Sequence, residues 1–160
     1  MLATTIKALD VLAQAALESE EWDEMPMLFV LNGEGEPEGI VSLAGNPGEI
    51  LPMVAESLRK TEFVGGVSGI ILQVEAYSLS SKAVDNLELV RAQLAISGKR
   101  FSDHPAAVEI KTLWAVDAEG IEARIIERGN SSFVEPPKGT LSGSIPAALK
   151  VTLAELQHGH

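Results

Sequence analysis

Residues 107–129 read AVEIKTLWAVDAEGIEARIIERG, and the period of this stretch decides the fold. Every second position from Val108 through Ile110, Thr112, Trp114 and Val116 is apolar or β-branched, the spacing that places side chains on one face of a strand. Asp117-Ala118-Glu119-Gly120 then offers a tight turn in which the glycine is free to take positive φ, and Ile121, Ala123 and Ile125 return with the same alternation. The reading is a β-hairpin. Its other face carries Glu109, Lys111, Glu122, Arg124 and Arg128, which predicts a watered surface laced with weak cross-strand charge pairs.

Working outward, VSGIILQVEAYSL at 67–79 alternates in the same way. Ile70, Leu72, Val74 and Ala76 fall on one face, and Ile71, Gln73, Glu75 and Tyr77 on the other. Upstream, NPGE at 46–49 opens a helix with Asn46 as N-cap, Pro47 in the first turn and Glu49 three residues after the cap. Ile50, Leu51, Val54 and Leu58 form its buried stripe, and Pro52 is expected to tighten or bend the first turn. MLFVL at 27–31 and GIVSL at 39–43 are short apolar strands, and NGEGEPEG between them predicts a hairpin with a long acidic tip facing water. Residues 5–18 place Ile6, Leu9, Leu12, Ala13, Ala16 and Leu17 at helical spacing behind Thr4 or Thr5 as N-cap. That helix runs out in ESEEWDEMP, where Pro26 blocks continuation. Downstream, residues 81–98 show a weak helical pattern stopped by Gly98, residues 129–143 form a Gly, Ser and Pro loop, and a last helix starts at Ser144 with Ile145, Ala148, Leu149, Leu153 and Leu156 inward.

The order helix, two strands, helix, strand, weak helix, two strands, helix defines an α+β chain with a mainly antiparallel five-stranded sheet and three to four helices. Its 160 residues suit a single domain over 1–160, with residues 81–104 a weakly ordered connection and 157–160 a frayed tail. As an ordering of elements, the succession resembles the profilin-like and roadblock-like arrangements.

Composition narrows the functions. There is no cysteine, which removes disulfides, thiolate zinc sites, iron–sulfur clusters and cysteine nucleophiles. No stretch approaches a spanning helix, and the start of the chain lacks a secretory pattern, so a cytoplasmic protein without membrane contact is expected. The formal charge of −11 is unevenly placed: residues 1–58 carry one lysine against eleven acids, −10, leaving −1 for the remainder. Such a surface repels phosphate backbones, argues against nucleic acid, and favours a basic protein partner. Glu20, Glu21, Trp22, Asp23 and Glu24, with Glu34, Glu36 and Glu38 of the hairpin tip, are the candidate binding residues.

Chemistry has one candidate centre. Pairing of the strand ending near Leu79 with the one starting near Ala106 would bring Glu75 and Tyr77 close to Asp103 and His104. A carboxylate orienting an imidazole is the base half of a hydrolase triad, with Ser78, Ser80 and Ser102 as nucleophiles by position. The alternative is that Asp103 or Ser102 caps the turn into the strand. The His-Pro pair resembles the JAMM metalloprotease signature, but Ser102 stands at its first histidine position and no Ser and Asp follow at its spacing. No calcium-loop, P-loop or dinucleotide pattern is present, so no metal and no cofactor are expected.

Glu75-Ala76-Tyr77, then His104-Pro105, Glu109, AVDAEG and Arg128-Gly129 together resemble a set of small proteins encoded by actinobacterial viruses and their relatives. The resemblance covers residues 67–129, with Tyr77 where that pattern carries Trp. It implies a viral or prophage accessory protein, acting in the host cytoplasm or as part of the virion. The leading expectation is a non-enzymatic protein that binds a partner through its acidic first third. The alternatives are a hydrolase-like enzyme at His104 and a structural or self-associating virion component, with a homo-oligomer open.

Overall fold

The computed structural model describes residues 1–79, 87–99, 103, 105, 107–134 and 144–158. Along the chain run α1 (Ala3–Glu18), β1 (Met27–Asn32), β2 (Pro37–Ser42), α2 (Pro47–Leu58), β3 (Val67–Leu79), α3 (Leu87–Ser97), β4 (Ala107–Asp117), β5 (Gly120–Glu127) and α4 (Ser144–His158). The five strands make one antiparallel sheet in the order β2-β1-β3-β4-β5. β3 is its axis, paired with β4 from Gly69↔Asp117 to Leu79↔Ala107 and with β1 along its first half.

The alternation read from the sequence sorts the core into two layers. Ile70 and Leu72 of β3 join Leu28, Val30, Trp114, Val116 and Ala123 on one face, beneath Leu51 of α2 and Leu149, Leu153 and Leu156 of α4. Phe29, Leu31, Ile71, Leu113, Ala115 and Ile126 fill the other face, beneath Ala8, Leu9, Ala13 and Ala16 of α1. Each fully buried aliphatic side chain contributes roughly 1.5–3 kcal/mol, so both layers are substantial.

The second layer corrects the expectation of a watered hairpin face. Lys111, Leu113 and Ala115 share that face and all three are buried. An alanine-rich helix stripe permits close approach to the sheet, and α1 takes that place.

Ends and turns differ in detail from the sequence reading. α1 starts at Ala3 without a side-chain cap, and Thr5 is buried. Asp117 secures the helix start instead, accepting from the Leu2 N–H at 2.8 Å. The same carboxylate accepts from the N–H groups of Glu119 (2.8 Å) and Gly120 (3.0 Å), so the β4–β5 turn is held by the aspartate, and Gly120 does not take positive φ. The Asn46 cap forms as expected, accepting from the Gly48 N–H at 2.9 Å, and α2 continues through Pro52. α3 lies within the stretch read as a weakly ordered connection and ends where Gly98 was read as a stop, with Lys99 N–H donating to Leu94 O at 3.0 Å. α4 runs through Gln157 and His158, into the stretch read as a tail, and Gln157 donates to Val67 O at 3.2 Å.

The acidic hairpin tip is shorter than expected, because β1 extends to Asn32 and β2 begins at Pro37. Glu34, Glu36 and Glu38 are exposed, but Gly35 is buried at φ 80, where a Cβ would stand 2.5 Å from that of Thr4. Gly33 is pressed against Gly65 so closely that a Cβ would lie 2.3 Å from the Gly65 carbonyl oxygen.

Candidate functional site

Residues 19–26 leave α1 and cross β3 and β4 on the α1 side of the sheet, forming a strap. α1 ends at Glu18, where Ser19 turns to an extended conformation (φ −72, ψ 134) and its N–H closes the last turn on the Ala15 carbonyl. Asp23 then adopts φ 65, the single positive value among the described non-glycine residues, and one of the less costly residue types for that region.

The kink aims two successive N–H groups at one carboxylate. Asp23 N–H donates to Glu75 Oε1 at 2.9 Å and Glu24 N–H to Glu75 Oε2 at 2.5 Å. Lys111 stands opposite Glu75 in the β3–β4 register, and its ammonium donates to the Glu21 carbonyl. Lys111 is 1% exposed, and no carboxylate among the described residues lies within ion-pair distance of it. The Trp22 indole supplies a further partner: its centroid is 4.7 Å from Lys111 Nζ and 5.4 Å from Arg128 Cζ, both within cation–π reach. Arg128 in turn pairs with Glu109 at 2.5 Å, and Glu109 accepts from the Tyr77 hydroxyl at 3.1 Å. The chain of contacts runs from strap to Glu75 and Lys111, then through Trp22 to Arg128, Glu109 and Tyr77.

Titration follows these contacts. The Arg128 hydrogen bond holds the Glu109 carboxyl below its ordinary range, against partial burial and with help from the Tyr77 hydroxyl. The hydrogen bond to Glu109 and its negative charge push the Tyr77 phenol up. Burial raises the Glu24 carboxyl, and its hydrogen bond with Glu21 and the charges of Glu21 and Glu75 add to this against the opposing pull of Lys111.

The expected pairing of Leu79 with the start of β4 forms, at Leu79↔Ala107. Glu75 and Tyr77 share a face, yet the Glu75 oxygens hold the strap backbone and the Tyr77 hydroxyl donates to Glu109. Asp103 is exposed, ahead of β4. His104, Ser80 and Ser102 lie outside the described residues. An open depression of about 310 Å³ between Asp117, Gly120, Lys150 and Gln157 touches none of the candidate residues. Among the described residues no cluster of three or more His, Asp or Glu side chains could hold a metal ion.

The two acidic stretches are not brought together. The strap enters β1 at Met27 and the tip leaves it at Asn32, so one strand of six residues, roughly 20 Å, separates them. In the tip, Asn32 Oδ1 accepts from the N–H groups of Glu34 and Glu36, and Glu38 accepts from Val64 N–H at 2.8 Å.

Lys111, Glu109 and Arg128 are the site residues that sequence reasoning passed over as surface charges. Parity carried the missing signal: Lys111 shares its face with Leu113 and Ala115, and two apolar residues in succession on a supposedly wet face mark a covered one. No protein-family model, curated protein or solved structure matches this chain, so the site is read from its own geometry.

Proposed function

We propose that this chain is a non-enzymatic accessory protein, of the viral or prophage kind its motifs suggest, that binds a basic protein partner through the outward face of the strap. One observation carries the reading: the strap is fixed by its backbone, so the carboxylates of Glu20, Glu21 and Asp23 stay exposed on an ordered segment. Preordered charges lose little conformational entropy on binding, and their field speeds encounter with a cationic surface. Met25, 58% exposed, and Tyr77, 49% exposed, supply apolar area beside them. Engagement of Glu75 and Tyr77 in these contacts disfavours the hydrolase reading.

The test is a titration of the labelled protein with an oligolysine peptide, followed by amide chemical shifts. Perturbations are expected to centre on residues 20–25, to weaken steeply as salt is raised, and to vanish in the Glu20→Lys/Glu21→Lys/Asp23→Lys variant. Shifts spread evenly over all acidic positions would defeat the proposal. A second reading, self-association, draws on the outer edge of β2, which pairs with no further strand among the described residues and where Ile40 is 63% exposed. Ile40→Lys would then lower the mass measured by light scattering.

A further inference from the structure

We infer that the sheet surface under the strap, formed by Glu75, Lys111 and Arg128, is a recognition site for a kinked peptide segment in which an aromatic residue is followed by acidic ones, filled in cis by residues 21–24 and able to take such a segment from a partner protein. The strap is the bound example. Glu75 grips two successive backbone N–H groups and Lys111 grips a backbone carbonyl, contacts that any chain of the same local conformation can make. Selectivity comes from the two cations at the indole, which favour an aromatic ring, and from their charge, which favours acidic and repels basic neighbours.

The strap is also separable from the fold. None of its side chains belongs to either apolar core cluster, so lifting it dismantles neither layer. What it leaves behind is a surface able to satisfy itself. Lys111, which burial would otherwise strand, faces Glu75 directly across the β3–β4 register, and Arg128 keeps Glu109. A site with satisfactory partners in both the filled and the open state can exchange its occupant. The inference concerns the sheet surface and does not depend on the outward face of the strap.

The experiment uses the full chain carrying Trp22→Ala, which weakens the cis occupant without touching the core, and a capped peptide of residues 19–26 with its tryptophan intact. Saturable amide shifts are expected at Glu75, Lys111 and Arg128, with binding roughly tenfold tighter than to the unsubstituted chain, whose own strap competes. A peptide with alanine in place of tryptophan, or lysines in place of its acids, should not bind. Adding Arg128→Ala, an exposed change, should weaken binding several-fold. Absence of saturable shifts at millimolar peptide in a well-dispersed spectrum, shifts elsewhere, or equal affinity for both chains would overturn the inference. Peptide-free shifts of the same residues with protein concentration would instead assign the occupant to the strap of a second copy, and would equally overturn a partner segment.

Discussion

Asp117 shows how much one buried carboxylate organises. It joins the β4–β5 turn to the first residues of α1, across a separation of 115 positions. Burial pushes its carboxyl up, and the hydrogen bonds from Leu2, Glu119 and Gly120, with the Thr5 hydroxyl beside them, outweigh that and hold it below the ordinary range. A folded-state value below the unfolded one means stability that is present above the ordinary carboxylate range and lost as pH falls through the depressed value. Urea unfolding midpoints should therefore drop on acidification below that range, and Asp117→Asn should make the drop shallower. Asp117→Ala should cost about 2 kcal/mol at neutral pH, since a charged acceptor is lost to three N–H groups; a change within 0.5 kcal/mol, roughly the scatter of surface substitutions, would deny it this role. Lys111 poses the opposite case. Its charge is buried against a carbonyl and a ring, so Lys111→Met, similar in shape, should be neutral or stabilising by about 1 kcal/mol, whereas Lys111→Ala should destabilise. Chemical denaturation of the two variants separates these outcomes.

At the scale of elements, what the sequence disclosed depended on how local the cause was. The alternation of β3, its span over Val67–Leu79, the β4–β5 hairpin and the Asn46 cap of α2 follow from neighbours a few residues apart, and all were legible. Coverage of the second sheet face by α1 was not, because Glu109, Lys111 and Arg128 outnumber the apolar residues at that end and mask the parity of Leu113 and Ala115. The candidate site was legible only in part. Glu75 and Tyr77 were singled out, but the partner of Glu75 lies 52 residues away, a distance that no periodicity reports. The hairpin tip makes a similar long-range contact that is open to test. A methyl group at Gly33 would collide with the Gly65 backbone, which cannot swing aside as a side chain would. Gly33→Ala should cost about 1–3 kcal/mol, in the range of overpacked interiors. Glu36→Ala, three residues on and exposed, should stay within about 0.5 kcal/mol. Thermal melts of the pair decide it, and equal melting temperatures would mean that the loop around Gly65 yields.

For the whole molecule, the uneven charge read from composition acquires a geometry. Of the eleven acids within residues 8–58, Asp10 alone makes an ion pair among the described residues, with Arg124 at 3.2 Å. Of the others, Glu20, Glu21, Asp23 and Glu24 ahead of β1 and Glu34, Glu36 and Glu38 beyond it form two clusters of like charge at the ends of that strand. Those clusters stand roughly 20 Å apart, inside the Debye length of about 30 Å at 0.01 M salt and well outside the value of about 10 Å at 0.1 M. Salt should then remove repulsion between the clusters while weakening only a few exposed ion pairs, each worth little. The melting temperature is expected to rise by a few degrees between these two salt concentrations, since about 1 kcal/mol moves a chain of this size by roughly 2–4 °C. Neutralising the tip with Glu34→Gln and Glu36→Gln should raise the low-salt value and flatten the response, because one of the two clusters has then lost most of its charge. A melting temperature that falls with salt would reverse the argument: the attractions of Arg124, Arg128 and Lys111 for their acidic and aromatic partners would outweigh the repulsion, and the acidic strap would be held down chiefly by charge.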